Sequence, residues 1–225
     1  MKIGAAICIC EADTYLLAPL FNELQRMDFD VAWLANNVSQ ETLDKLKNFP
    51  NTVECVIYNG SFHNCLRQYP LDILKLHGYD WCVQMDMDEI WEPKAPQKLK
   101  KILKDQKMIT VRMAHIWQKE GRHYVTTDWA SERDRIYNLK YDWVYLSKVV
   151  AGASLIGDNP DPKVEDIWMI HFGYMSPELR RRHKIRWDAN HGKSVGKNPY
   201  GMWDTITQEG YEPKLTLYTE FLDSL

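Results

Sequence analysis

Three carboxylates close an apolar run near the middle of the chain, in the stretch Trp81-Cys82-Val83-Gln84-Met85-Asp86-Met87-Asp88-Glu89-Ile90-Trp91-Glu92-Pro93. Carboxylates are rarely buried without a partner, so a cation is the expected companion. Along a strand, alternate side chains share a face, which would put Asp86 and Asp88 together. Two hard oxygen ligands at a strand's end suit Mg²⁺ or Mn²⁺ held jointly with a substrate phosphate. A strand terminus with solvated acids in the following turn is the competing reading, because Asp-x-Asp is a short pattern.

The elements around these acids must hold them. Lys2 to Cys10 reads as a buried strand ending at Glu11. Tyr15 to Met27 has helical spacing, with Leu16, Leu20 and Leu24 on one stripe and Asp13 or Thr14 as cap. Phe29 to Leu34 is a second strand, closing on Asn36 and Asn37, and Ser39 can cap a helix that turns Leu43 and Leu46 inward. Val53 to Tyr58 is a third strand, Leu66 to His77 a helix despite Pro70, and Trp81 to Met85 a fourth strand.

Strand and helix alternate, and each strand runs into polar residues. That predicts an α/β fold with a mostly parallel central sheet flanked by helices. In such sheets ligands bind outside the carboxyl ends of the strands. Glu11, Asn36, Asn37, Asp86 and Asp88 would then share one edge, which favours the metal-site reading.

Beyond Pro93 the pattern is looser. Lys94 to Lys107 reads as a lysine-rich surface helix and Met108 to Trp117 as a strand. Gln118 to Asp134 reads as loop, and Arg135 to Tyr141 and Trp143 to Val150 as extended. Gly157 to Pro162 is loop, and Ile167 to Phe172 a short strand reaching His171. Ser176 and Pro177 open a basic helix over Leu179 to Trp187.

Bulk properties narrow the classes. At 225 residues and 45% hydrophobic the chain can bury one large core. A net charge of −3 argues against a polyanion binder by charge alone, although Arg180 to Arg186 is a concentrated basic patch. The nine tryptophans and twelve tyrosines suit core and sugar-binding surfaces alike. Five irregularly spaced cysteines argue against a disulfide framework and for the cytoplasm, with neither a leader nor a membrane-spanning run expected.

With these residues in place, the chain resembles the glycosyltransferases of the GT-A fold, close to glycosyltransferase family 2. The resemblance rests on five blocks in order. They are the first strand ending in Glu11, the second ending in Asn36-Asn37-Val38-Ser39, the helix carrying Arg67, the Trp81 to Pro93 block, and Ile170 to Tyr174 followed by Arg180 to Lys184. It implies a single Rossmann-like domain over 1–225, with a nucleotide-sugar half (1–93) and an acceptor-side, C-terminal extension (94–225). It further implies a metal-dependent transfer of a sugar from a nucleotide-sugar donor, a UDP-sugar by expectation, to a hydroxyl acceptor.

In that comparison Asp88 binds Mn²⁺ or Mg²⁺ directly, Asp86 contacts the ribose or the metal, and His171 is a further metal ligand. Glu11 with Asn36 or Asn37 would hold base and ribose. Arg67, Arg181 and Lys184 are candidates for the diphosphate. The catalytic base is left open among Glu165, Asp166, Asp128 and Glu132, and an inverting outcome is expected. The acceptor is a glycan, a lipid-linked sugar, a protein or a modified DNA base. A metal-dependent nucleotidyltransferase is the alternative, but no glycine-rich loop follows the first strand. A non-catalytic sugar- or nucleic-acid-binding protein is the third reading.

Overall fold

The computed structural model describes residues 1–104, 106–126, 132–145, 154–155, 163–173, 175–176, 178–179 and 216–225. Asp128, Arg181 and Lys184 lie outside the described residues, as do the expected Gly157 to Pro162 loop and most of the basic helix.

The first part alternates as its sequence predicts. β1 (Ile3–Cys10), α1 (Leu17–Met27), β2 (Asp30–Asn36), α2 (Gln40–Asn48), β3 (Thr52–Tyr58), α3 (Gln68–Leu76) and β4 (Trp81–Met85) follow one another. β1 lies between β2 and β4, β3 lies beyond β2, and all four are parallel. Covered on both faces, β1, β2 and β4 read as near-continuous apolar runs, β4 being buried at every residue, whereas β3 at the sheet's edge is only half-buried. Small residues at the start of β1 let α3 approach closely. A Cβ on Gly4 would lie 2.4 Å from the Leu74 side chain.

The helices show why local signals succeed or fail. Ser39 caps α2, its hydroxyl accepting from the Thr42 N–H at 3.3 Å, and Leu43 and Leu46 are buried. Pro70 falls in the first turn of α3, where no intrahelical donor is needed. The expected cap of α1 is not formed. A 3₁₀ turn over Glu11–Leu16 leads into the helix, and Leu16 stands at its N-cap without a side-chain bond. Asp13 instead accepts from Cys10 Sγ at 2.8 Å, and the Thr14 hydroxyl donates to the Glu11 carbonyl at 3.0 Å.

The remaining strands are mostly antiparallel. They are β5 (Glu89–Trp91), β6 (Met108–Lys119), β7 (Arg122–Thr126), β8 (Glu132–Asn138), the pair β9 (Trp143–Val144) and β10 (Ser154–Leu155), β11 (Lys163–His171) and β12 (Thr216–Leu217), with helices α4 (Ala95–Ile102) and α5 (Tyr218–Ser224). β8 pairs antiparallel with β4 and continues the sheet, and β6 pairs antiparallel with β8 and parallel with β11. β11 then pairs antiparallel with β5. Part of the expected 118–134 loop is strand. Glu120 and Gly121 turn the β6–β7 hairpin with φ of 52° and 74°, the positive pair that a tight two-residue hairpin requires.

Candidate active site

Asp86 and Asp88 occupy a turn between β4 and β5 rather than alternate positions of one strand, with the Glu89 N–H donating to the Asp86 carbonyl at 3.3 Å. The turn therefore points the two carboxylates at different partners. Asp86 faces two arginines. Arg67 Nη2 lies 2.6 Å from Oδ1, and Arg135 Nη2, from β8, lies 3.1 Å from Oδ2. Arg135 also pairs with the buried Glu89, which in turn accepts from the Asp86 N–H at 2.8 Å. Asp88 faces the other way, its Oδ2 3.3 Å from His171 Nε2. Behind His171 stands His115, on β6, with the two Nδ1 atoms 3.1 Å apart.

The charges on the two sides differ accordingly. Burial would raise the Asp86 carboxyl, but Arg67 and Arg135 outweigh it and hold it at about 2. Burial pushes Glu89 up to about 7, against the pull of Arg135. Burial would lower His171, but the surrounding carboxylates, Asp88 first and then Glu89 and Asp86, together raise it. Arg67 Nε and Nη1 and Arg135 Nε are buried without a hydrogen-bond partner among the described residues, leaving donors in reserve beside Asp86. Burial pushes the nearby Cys8 thiol up to about 12.

A framework of buried acids holds the turn. Glu23 of α1 accepts from the Trp91 N–H at 2.7 Å and from Arg26 at 2.7 and 2.8 Å, and Arg26 donates onward to the Trp91 carbonyl at 2.9 Å. Glu92, fully buried, takes Lys98 at 2.8 Å and the Trp168 N–H at 3.1 Å, tying the end of β5 to β11. The Phe172 N–H donates to the Asp88 carbonyl at 2.8 Å. β5 and β11 are thereby locked in the register that sets His171 opposite Glu89.

The predicted site residues fall into four groups. Asp86, Asp88, Arg67 and His171 converge as described. Glu11, Asn36 and Asn37 reach the same edge, where their polar groups bind the chain itself. Glu11 accepts from the Ser39 N–H at 2.7 Å, a bond that lowers its pKa. The Asn37 amide donates to the Gly60 carbonyl at 2.8 Å, and Asn36, with its nitrogen facing the carbonyls, donates to Tyr58 and Gly60 at 3.2 and 3.1 Å. Glu132 opens β8 at this edge and is exposed.

Glu165 and Asp166 do not join the site. They lie in the irregular stretch of β11 between Val164, level with Thr110, and Trp168, level with Arg112, and so about 10–16 Å before His171 along the strand. Glu165 is bound by Lys163 at 2.5 Å and Gln106 at 3.1 Å, and Asp166 lies 3.5 Å from Arg112. Their nearness to His171 in sequence misplaces them, because a strand separates what a helix would gather. Glu89, His115 and Arg135 join the site without having been assigned to it. A buried charge inside the β8 run was the available signal for Arg135.

The implied divalent cation fits one side of the turn. Among the described residues no three His, Cys, Asp or Glu side chains form a ready ligand set. Both Asp86 oxygens face arginines. Asp88 Oδ2 and His171 Nε2 have a spacing close to the ~3 Å that separates adjacent ligands of an octahedral ion bound at about 2.1 Å. Asp88 and His171 suit such an ion, with further positions left to a ligand's oxygens and water.

Beside Asp88 and Glu89 opens a cleft of about 870 Å³. Tyr15, Leu16 and Pro19 wall one side and Phe172 and Met175 the other. Its size suits a small-molecule site. It reaches the Asp88 side of the turn and not Arg67 or Asn36. No helix among the described residues is long and apolar enough to cross a membrane.

No protein-family model and no curated protein matches the chain. Among solved structures, residues 1–349 of S. aureus TarS resemble it with a TM-score of 0.48 and 11% identity, over 92% of this chain and 69% of that one. A protein from Desulfovibrio desulfuricans G20 described as a nucleotide-diphospho-sugar transferase gives a TM-score of 0.43 and 12% identity, over 89% and 93%. The inositol-1-phosphate CTP transferase from T. maritima gives 0.42 and 11%, over 85% and 97%. Identities and scores this low transfer neither substrate nor reaction.

Proposed function

We propose that the chain is a GT-A glycosyltransferase that moves a sugar from a nucleotide donor to a hydroxyl acceptor with the help of Mn²⁺ or Mg²⁺. The observation that carries this reading is the meeting of Asp88 and His171. Asp88 comes from the turn after β4 and His171 from the end of β11, and Asp88 borders a cleft large enough for a sugar. Ligands bind at the carboxyl edge of the sheet in such folds. A cation bound there would neutralise charge on the departing diphosphate.

The protein's own groups do the rest. Asp88 and His171 hold the cation. Arg67 and Arg135 hold Asp86 and Glu89 in place at this edge. The nucleoside lies over the ends of β1 and β2, and the sugar and acceptor enter the cleft. Among the described acids, Glu132 is the expected candidate at this edge to take the acceptor's proton. Nucleotidyl transfer is disfavoured, because the turn after β1 contains no glycine and offers no loop of bare amides for a triphosphate.

The test is calorimetric titration with UDP- and GDP-sugars, with and without Mn²⁺, alongside an assay for released nucleoside diphosphate. The reading expects binding that needs the cation and release of nucleoside diphosphate. Release of pyrophosphate from a nucleoside triphosphate and a sugar phosphate would replace it with nucleotidyl transfer.

A further inference from the structure

The cleft of about 870 Å³ beside Asp88 has walls of two kinds. One kind is apolar, formed by Leu16, Pro19, Met87, Phe172 and Met175. Leu16, Phe172 and Met175 are half-buried and Pro19 is exposed, so this surface is not sealed into the core. The polar walls are largely engaged with the chain itself. Glu23 accepts from Arg26 at 2.7 and 2.8 Å and from the Trp91 N–H at 2.7 Å. Every nitrogen of Arg26 is engaged, by Glu23 and by the carbonyls of Trp91, Glu92 and Pro93. Asp13 accepts from Cys10 Sγ, and Glu89 from the Asp86 N–H. The charge is one-sided as well. Asp13, Glu23, Asp88 and Glu89 line the cleft, and among the described residues Arg26 is the single cationic side chain that does.

We propose that the cleft takes an uncharged hydroxyl compound with an apolar alkyl or aryl body, and that this compound is the acceptor. Such a body leaves water for the walls at Leu16, Phe172 and Met175, with a gain that grows with the apolar area removed. The thioethers of Met87 and Met175 adapt to a chain or a ring. A plain oligosaccharide would bring hydroxyls against the same walls, where they lose water and find no partner. The ligand's hydroxyl end finds polar groups at Asp88 and the exposed Asn22, which line the same cleft. An acceptor that carries phosphate would meet carboxylates, while the guanidinium of Arg26 is already committed to Glu23 and backbone carbonyls. That excludes a nucleic acid and a phosphate-linked lipid. The ligand's role as acceptor rests on the proposed sugar transfer, whereas its chemical class rests on the walls of the cleft.

The experiment is calorimetric titration of the full chain with octyl glucoside below its micelle concentration, phenyl glucoside, maltose, octyl phosphate and phenyl phosphate. The octyl and phenyl arms separate an alkyl body from an aryl one. At least one glucoside should bind about 10–100-fold more tightly than maltose, the gain from burying about two or three methylene groups. The phosphate of the same body should bind more weakly than its glucoside. Pro19→Asp puts a carboxylate on the apolar wall at an exposed position in the first turn of α1, where an acid suits the helix. It should weaken the preferred glucoside by about 10-fold or more and keep the parent's unfolding midpoint. Maltose or a phosphate binding as tightly as the glucosides, no binding of either glucoside, or binding unchanged by Pro19→Asp would overturn the assignment. The bound glucoside is then offered sugar nucleotides with Mn²⁺, and a glycosylated product is expected. A glucoside that binds, is lost in Pro19→Asp and receives no sugar would instead overturn the proposed function and leave the ligand class standing.

Discussion

Two sides of one turn, two residues apart in sequence, are built for different purposes. On one side Asp86 is closed in by Arg67 and Arg135, and both of its oxygens are occupied. On the other, Asp88 meets an imidazole and borders a cleft. The first side locks β4 to β8 and to the turn before α3. The Asp-x-Asp pattern alone treats the two acids as equals, and the fold gives them different partners.

This contrast is open to direct tests. The largest effect is expected from Asp86→Ala, which leaves the buried Arg67 guanidinium without its carboxylate and Arg135 with Glu89 alone. Denaturant unfolding should show a loss of about 3–5 kcal/mol, as for other broken buried pairs. An unfolding midpoint equal to the parent's would dissolve the distinction between the two sides. Glu23→Ala removes the acceptor shared by the Trp91 N–H and Arg26, and should cost about 1–3 kcal/mol in the same measurement. A smaller loss would show that β5 keeps its place without α1.

Asp88→Ala should change stability by no more than about 1 kcal/mol, because its ion pair lies beside a cleft rather than sealed among arginines. The smallest effect is expected from Glu165→Gln and Asp166→Asn. Both should leave stability within about 0.5 kcal/mol and sugar transfer unchanged, since these acids sit far along β11 from His171. A sharp fall in transfer rate for either would move the catalytic base back to that pair.

The sequence made the first half legible because its signals are local. Apolar runs mark β1 to β4, Ser39 caps its own helix, and strands ending in Glu11, Asn36 and Asp86 mark the edge. The site's other half depends on pairing between distant segments. Nothing near Arg135 announces that β8 will lie against β4, and nothing near His115 announces its register with His171. The turn that separates Asp86 from Asp88 was hidden by an apolar run that seemed to continue the strand. Glu165 and Asp166 show the converse, since an acidic pair close to His171 in sequence lies apart from it along β11.

The central claim concerns Asp88, and cation-dependent nucleotide binding tests it most directly. UDP- or GDP-sugar should bind the parent with Mn²⁺ and lose that dependence in Asp88→Ala, while the variant unfolds at nearly the parent's midpoint. A folded Asp88→Ala protein that binds the sugar nucleotide with Mn²⁺ as tightly as the parent would contradict it.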